Sequence, residues 1–417
     1  MTARMGIAVL TFIVLSLPLL TVGCQRPVEE PHYNRPLPPG EFGLRRVTDT
    51  ARMPDLTPVS EQLSDRQFRE ALDHSLRWYR IPSTPQHFPL GPITHEHAHA
   101  SAYALKQLGD LSPGDARRAL RDEFDVWESV GYDHNGTVFY TGYYSPIFRA
   151  SRERTSTYNY PLYTRPDDLV ADPATGEVKG RQTSTGVVTY PTRAEIEERQ
   201  LLDGHELVYL SSALDAYLIH VNGSAQLRLA DGGTMYVGYA GNNGHEYVSI
   251  GALLVKDGHI PEHRLSLPAI REHFRRHPDD LQRYTRRNDR FVFFGEYAGD
   301  TWPAGSLGVK VTPMRTLATD KSIFPRGAVV FVETTIPSSQ GGTRPFRQLM
   351  VDQDTGGAIR AAGRGDIYLG VGEQAGLIAG RQAAEGRLFY LLLKPDRVQH
   401  WHDQLRQGDP ASVRSVD

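Results

Sequence analysis

The chain has 417 residues, of which 39% are apolar, and carries 46 lysines and arginines against 49 aspartates and glutamates. This length and apolar content allow two domains of ordinary size and exclude an intrinsically disordered chain. The near balance of charge offers no large basic face, so we predict no nucleic-acid partner. The single cysteine, Cys24, excludes an internal disulfide.

The N-terminus has the pattern of a bacterial secretion signal. Arg4 provides a positive start, residues 6–20 are almost all apolar, and small or β-branched residues lead to Cys24. This resembles a lipobox, in which the cysteine is acylated, although Thr21 stands where leucine is usual. The alternatives are a secreted protein without lipid and an uncleaved anchor. Gln25, in place of aspartate, favours the outer over the inner membrane. We therefore expect a lipid-anchored protein in the periplasm of a Gram-negative bacterium.

The segment after the cysteine is rich in proline. Residues 24–58 include the run RPLPPGEFG and few apolar pairs, which predicts an extended, mobile tether. No later apolar run reaches the length of about 20 residues that a membrane-spanning helix needs. We therefore expect a soluble body held to a membrane through the lipidated cysteine.

Helical signals come next along the chain. Ser64 and Gln67 form a plausible capping box, and apolar residues follow at helical spacing: Phe68, Leu72, Leu76 and Tyr79. A second helix is predicted from Ser112 as cap and Pro113 as first residue. One apolar face would then contain Leu120, Phe124 and Trp127, with Gly131 as the stop.

From about residue 137 the sequence changes to short runs rich in Val, Tyr, Thr and Phe, broken by Gly, Asn and Pro. This texture predicts short β-strands, and a closed β-barrel accounts for it better than a large open sheet. A short helical insert, with Ser266 as its cap, interrupts the strands. The sequence therefore predicts a mainly β protein with N-terminal helices, of the α+β class.

Two motifs partly match a metal site and a dinucleotide-binding loop, but a structural role explains each of them better. His95, His97 and His99 crowd together in THEHAHA, but the spacing is not that of HExxH, and a polar helix start explains them better than a metal site. GVGEQAG, residues 370–376, has the glycine spacing of a dinucleotide loop. Because no βαβ unit is apparent around it, we interpret it as a barrel turn.

Three aspartates, Asp352, Asp354 and Asp366, fall within the run VDQDTGGAIRAAGRGDIYLG. A calcium loop is disfavoured because apolar residues follow Asp354 where further oxygen ligands would be needed. Asp354 precedes two glycines and suits a turn. Asp366 enters an apolar, aromatic segment, and burial there would raise its pKa and let it act as an acid.

Several segments resemble the membrane-bound lytic murein transglycosylase A family over residues 135–395. They occur in family order and comprise TGYYSP, YPTRAEI, VNGSA, YAGNNGHEYVSIG, FVFF, DKSIFPRG and the three-aspartate segment ending in GVGEQAGLIAG. The resemblance implies a double-psi β-barrel domain from residues 59–144 and 299–400, with a smaller β-barrel domain inserted at residues 145–298. A glycan groove would lie between them, and residues 401–417 would form a polar tail.

The resemblance also implies an activity. The family cleaves the β-1,4 bond between N-acetylmuramic acid and N-acetylglucosamine of peptidoglycan without hydrolysis, leaves a 1,6-anhydromuramoyl end, and needs no metal or other cofactor. Asp366 would be the acid and then the base, Asp354 a tuning neighbour, and Asp352 structural. Groove contacts would come from Thr141, Tyr143, Tyr144, Asn242, Asn243 and His245. No protein partner is indicated.

Such a reaction needs only one protein carboxylate, because the C6 hydroxyl of the sugar itself attacks C1. Two alternatives stay open at this stage: an expansin-like barrel that binds glycan without cleaving it, and a hydrolytic muramidase that uses Asp354 as its second carboxylate. Ser145, Asn222 and Ala361 depart from residues common in the family at these positions.

Overall fold

The computed structural model describes residues 31–172, 177–338 and 341–408. The predicted signal peptide (residues 1–23), the acylation site Cys24 and the end of the predicted tail lie outside these residues. From Tyr33 onward the chain forms one compact unit. Within the described ranges, no helix combines the length and apolar character needed to cross a bilayer.

The first part of this unit is helical. In chain order its elements are β1 (Leu44–Arg46), α1 (Thr57–Gln62), α2 (Arg66–Tyr79), α3 (His95–Leu108) and α4 (Pro113–Glu123). The cap of α2 is Asp65, whose carboxylate accepts from the Phe68 amide, so the prediction of Ser64 is wrong by one residue. The prediction of Ser112 and Pro113 at the start of α4 is confirmed.

Strands dominate the rest of the chain. The elements are β2 (Phe124–Ser129), β3 (Val138–Ser145), β4 (Ile147–Ser151), β5 (Tyr160–Tyr163), β6 (Leu169–Ala171), β7 (Val178–Thr183), β8 (Gly186–Val188), α5 (Arg193–Glu198), β9 (Glu206–Leu210), α6 (Ala213–Asn222), β10 (Ser224–Leu229), β11 (Thr234–Asn242), α7 (Ile250–Lys256), α8 (Leu267–Arg276), α9 (Asp280–Thr285), β12 (Val292–Tyr297), β13 (Thr316–Ala318), β14 (Val329–Pro337), β15 (Thr343–Asp354), β16 (Arg364–Val371), α10 (Glu373–Ala379), β17 (Ala383–Leu393) and α11 (Pro395–Gly408).

Six strands close into a barrel, in the order β3, β17, β14, β15, β13, β16 and back to β3. The pairs β13–β15 and β16–β3 are parallel, and the other four pairs are antiparallel. Strands β1 and β2 extend the sheet from β17. Fully buried side chains from the barrel and from α2 and α3 share one apolar core. The predicted α+β class is confirmed.

A second sheet, in the order β12, β11, β10, β4, β9, β5, is built from the residues between β3 and β13. In the described residues no pairing joins its edge strands β12 and β5, so hydrogen bonding does not close it into the second barrel that the resemblance implied. Pro161 in β5 has no N–H to donate, which suits an edge strand. Helices α6 to α9 pack around a separate apolar cluster, and the predicted cap Ser266 of α8 is confirmed.

Three predictions about element limits are wrong. The tether does not extend to residue 58, because Leu44–Arg46 pairs with β2 and Leu44 is buried in the core. Trp127 does not continue α4; it lies in β2, where alternate residues face the core. The tail does not begin at residue 401, because Trp401 and Leu405 are buried on the apolar face of α11.

Candidate active site

Asp366 is the third of the eight residues of β16 and is held there by pairing on both sides. It is opposite Thr141 of β3 and Ala318 of β13. The neighbouring residue Ile367 points into the barrel core and is fully buried, so the alternation of the strand turns Asp366 to the other face. That face opens onto a groove with a volume of about 870 Å³.

The surroundings of Asp366 favour its protonated form. Burial raises the pKa of this carboxyl from 3.8 to about 6, and the nearby charge of Asp354 adds to the increase. A hydrogen bond from Thr141 and the positive charge of Arg364 act in the opposite direction. One carboxyl oxygen, Oδ1, is buried and has no hydrogen-bond partner in the described structure. The group can therefore hold a proton near neutral pH and offer it to a ligand in the groove.

Asp354 also reaches the groove, but its oxygens are already occupied. Tyr143 Oη donates to Oδ2 at 2.7 Å, and the amides of Ser306 and Thr355 donate to Oδ1 at 2.7 and 2.8 Å. Burial raises the pKa of Asp354, while these hydrogen bonds lower it. Ala318 pairs with both aspartates from the strand between theirs. Two strand spacings put their Cα atoms roughly 10 Å apart.

Asp352 is a structural residue. Its side chain is 0% exposed and does not line the groove. It forms a buried ion pair with Lys321 and accepts hydrogen bonds from Thr319 Oγ1 at 2.8 Å and Tyr390 Oη at 2.7 Å. These contacts tie β15 to the loop after β13 and to β17.

The groove combines aromatic rings with charges of both signs. Its tyrosines are Tyr143, Tyr144, Tyr217, Tyr239, Tyr247 and Tyr297. Its charged residues are Asp354, Asp366, Arg290, Lys321, Arg326 and Arg360. Rings of this kind pack on the faces of sugars, while hydroxyl and charged groups fix orientation. The surface therefore suits a polar, ring-containing chain.

Of the six predicted groove residues, two line the groove and four do not. Tyr143 and Tyr144 line the groove. Thr141 lies behind Asp366, where its hydroxyl also accepts from Arg364 Nη2 at 3.0 Å. Three further residues do not line the groove: Asn242, which ends β11, and Asn243 and His245, which lie in the loop after it.

The contacts of Asn243 and His245 explain why these two loop residues do not face the groove. Asn243 is 2% exposed, and its amide bonds the backbone of Pro191, Asp289 and Phe291. His245 Nε2 lies 2.7 Å from the Tyr190 carbonyl and faces a separate recess of about 450 Å³. Asn243 and His245 thus hold the loop, whose Tyr247 lines the groove together with Tyr239 of β11. A loop has no fixed alternation, so the sequence could not indicate which members face the ligand.

The two motifs set aside in the sequence lie in structural positions. The predicted polar helix start is confirmed, since Thr94 caps α3 and His95 is its first residue. In the described residues no cluster of three or more His, Cys, Asp or Glu could hold a metal ion. GVGEQAG, which we interpreted as a barrel turn, runs from the end of β16 into the start of α10, so it does join a strand to a helix. The next strand, β17, pairs antiparallel with β3 and not parallel with β16, so the segment is not part of a βαβ unit.

Known proteins resemble this chain in sequence and in fold. Residues 139–295 match the MltA specific insert domain, and residues 315–392 match the 3D domain. Membrane-bound lytic murein transglycosylase A of Escherichia coli K12 is 32% identical over 287 residues, which cover 68% of this chain and 73% of that protein. The protein of the same name from Vibrio cholerae is 33% identical over 296 residues, covering 69% and 74%.

Solved structures give the same result. A membrane-bound lytic murein transglycosylase from Agrobacterium tumefaciens has a TM-score of 0.72 at 27% identity, covering 86% of this chain and all of that one. E. coli MltA with bound chitohexaose has a TM-score of 0.64 at 27% identity, covering 88% and 97%. The chain belongs to the membrane-bound lytic murein transglycosylase A family.

Proposed function

We propose that this protein is a peptidoglycan lytic transglycosylase in which Asp366 is the catalytic acid and base. It cleaves the β-1,4 bond between N-acetylmuramic acid and N-acetylglucosamine and leaves a 1,6-anhydromuramoyl end. The observation that carries the assignment is a single carboxyl with a pKa of about 6 and a free, buried oxygen beside a tyrosine-lined groove.

The reaction needs one proton to be given and one to be taken. Protonated Asp366 donates to the glycosidic oxygen as the bond from C1 breaks, so that the leaving sugar departs with a hydroxyl. The resulting carboxylate then accepts the proton of the C6 hydroxyl, whose oxygen bonds to C1 of the same ring. The enzyme ends protonated, as it began. A pKa near the working pH serves both halves of this cycle.

Asp354 supports this chemistry without a chemical step of its own. A hydrolytic enzyme would need it as nucleophile or as base for water. Its two oxygens already accept three hydrogen bonds, from Tyr143, Ser306 and Thr355. Its charge raises the pKa of Asp366, which keeps the acid protonated. This role favours a transglycosylase over a muramidase.

The glycan lies in the groove and contacts its aromatic wall. Tyr143 and Tyr144 follow Thr141 on β3, next to the acid, and form part of this wall. Tyr239, Tyr247 and others come from the inserted residues. A solved relative carries chitohexaose, a glycan of similar backbone, which supports a glycan as the ligand.

We further propose a barrel class, domain limits and a membrane location for this protein. We assign the six-stranded ring, with its two parallel pairs, to the double-psi class of barrels and to a domain of residues 59–144 and 299–400. Residues 145–298 are the inserted domain. Acylated Cys24 anchors the protein in the outer membrane, facing the periplasm of a Gram-negative cell, as the name membrane-bound of its relatives suggests.

Digestion of purified sacculi tests the function. The wild-type protein should release products with anhydromuramoyl ends, identified by mass spectrometry. Asp366→Asn should release none, while its circular dichroism spectrum and melting transition show a folded protein. Asp352→Glu changes an acid outside the groove and is the matched control. If its melting transition shows a folded protein, it should still release anhydromuramoyl products. Reducing ends would favour a muramidase, and binding without release by the wild type would favour a non-catalytic barrel.

A further inference from the structure

Two arginines from distant parts of the chain meet at the groove. Arg290 lies two residues before β12, and Arg360 lies in the loop that joins β15 to β16. This loop packs against Arg290, because a Cβ added to Gly357 would lie 3.8 Å from Arg290 Nε. The same Cβ would lie 3.3 Å from Tyr247 Cβ. The pair therefore stands where the loop after Asp354 meets the inserted residues.

Neither arginine has a carboxylate partner. Arg290 Nη1 donates to the His245 carbonyl at 3.1 Å, and among the described residues neither guanidinium lies within ion-pair distance of an acid. Burial lowers the pKa of Arg290, and the positive charge of Arg360 contributes in the same direction. The phenol of Tyr239 and the carboxyl of Glu246 act against this without forming an ion pair.

Two guanidinium groups that line the same partly dry groove, and whose charges act on each other, are electrostatically unfavourable without an anion. The groove's own carboxylates do not supply one. Asp354 is bound by Tyr143 and two backbone amides, and Asp366 by Thr141. A guanidinium matches a carboxylate with two parallel hydrogen bonds, which makes arginine the usual residue for such an anion.

We propose that Arg290 and Arg360 form a carboxylate-binding subsite that makes the groove prefer acidic glycan strands to neutral ones. The inference rests on the proposed function, because it takes the ligand to be a peptidoglycan strand. Two sources in that polymer carry the required group. One is the lactyl carboxylate of muramic acid where the peptide has been removed, and the other is a carboxylate of the attached peptide.

Binding measurements separate the proposal from the proposed reaction. All variants are made in the full chain with Asp366→Asn, which prevents turnover, and titrated calorimetrically. The three ligands are chitohexaose, which is neutral, peptide-free glycan strands and peptide-bearing strands. Arg360→Gln removes one guanidinium, Arg360→Lys keeps the charge, and Arg290→Gln removes the other member. Arg344→Gln removes an exposed arginine on β15 outside the groove and serves as the charge-matched control.

Arg360→Gln and Arg290→Gln should each weaken the binding of acidic strands by about tenfold or more, because a hydrogen bond to a charged group is worth about 1.5–3 kcal/mol. Chitohexaose binding should change less than about twofold, and Arg360→Lys should recover part of the loss. A loss of affinity for peptide-free strands identifies the lactyl carboxylate as the bound group. A loss of affinity for peptide-bearing strands only identifies a carboxylate of the peptide. Equal loss on chitohexaose, or no loss on acidic strands, overturns the subsite. Failure of the wild type to release anhydro products would instead overturn the reaction alone.

Discussion

Glycan cleavage should fall as the pH rises through about 6, where Asp366 loses its proton. Only the protonated acid can donate a proton to the glycosidic oxygen, so that the leaving sugar departs as an alcohol and not as an alkoxide. With a pKa of about 6, about nine-tenths of the enzyme carries the proton at pH 5 and about one-tenth at pH 7. Initial rates of anhydromuropeptide release from sacculi, measured from pH 4 to 8, would define this falling limb of the pH–rate profile.

Two substitutions should move the limb in opposite directions. Thr141→Val removes a hydrogen bond that stabilises the Asp366 carboxylate, so the limb should move to higher pH. Such a bond is worth about 1.5–3 kcal/mol, which corresponds to about one to two pH units. Asp354→Asn removes a neighbouring negative charge, so the limb should move to lower pH. Thr141→Ser keeps the hydroxyl and should leave the limb in place.

The position of the limb, and not the absolute rate, is the readout, because either substitution can also disturb glycan binding. Shifts of Thr141→Val and Asp354→Asn in the same direction would refute the electrostatic reasoning. A wild-type limb near pH 4, the range of an ordinary aspartate, would refute the raised pKa of Asp366.

Three predictions concern stability. Asp366→Asn should raise the melting temperature at pH 7 but not at pH 4. Burial raises the pKa of Asp366 from 3.8 to about 6 in the folded state, so this carboxyl lowers stability progressively as the pH rises from about 4 to about 6, and the full cost above that range is at most about 3 kcal/mol. Ala361→Gly should stabilise by about 1 kcal/mol in urea unfolding, because Ala361 has φ of 64°, a left-handed conformation that glycine adopts without strain; an unchanged midpoint would count against strain. Asp352→Asn should destabilise by about 3–5 kcal/mol in the same assay, because it leaves Lys321 charged and buried; a loss below 1 kcal/mol would contradict this.

Local signals in the sequence located some elements well. The predicted caps Ser112 and Ser266 each accept a hydrogen bond from an amide three residues later, so a few neighbouring residues contain the whole signal. The strand texture likewise favoured a closed barrel. Trp127 was misplaced because the apolar spacing of α4 continues by chance into β2.

Non-local contacts were not accessible in the same way. Leu44 lies in a proline-rich stretch, and only its pairing with Ser129, far along the chain, makes it part of a sheet. The assignment of Asp366 came from family resemblance, since periodicity could not establish its burial. Arg290 and Arg360 were missed because they are 70 residues apart and carry no local motif. Their meeting depends on how the loop after Asp354 packs on the inserted residues.

In the proposed reaction the sugar's own C6 hydroxyl replaces water as the nucleophile, and Asp366 is the only protein acid required. Digestion of sacculi in water enriched in oxygen-18 tests it directly, because a hydrolase builds solvent oxygen into every new reducing end. We expect anhydromuramoyl products that lack the added water of a hydrolytic product and contain no oxygen-18, and no release by Asp366→Asn. Oxygen-18 in the primary products of the wild-type protein would contradict it.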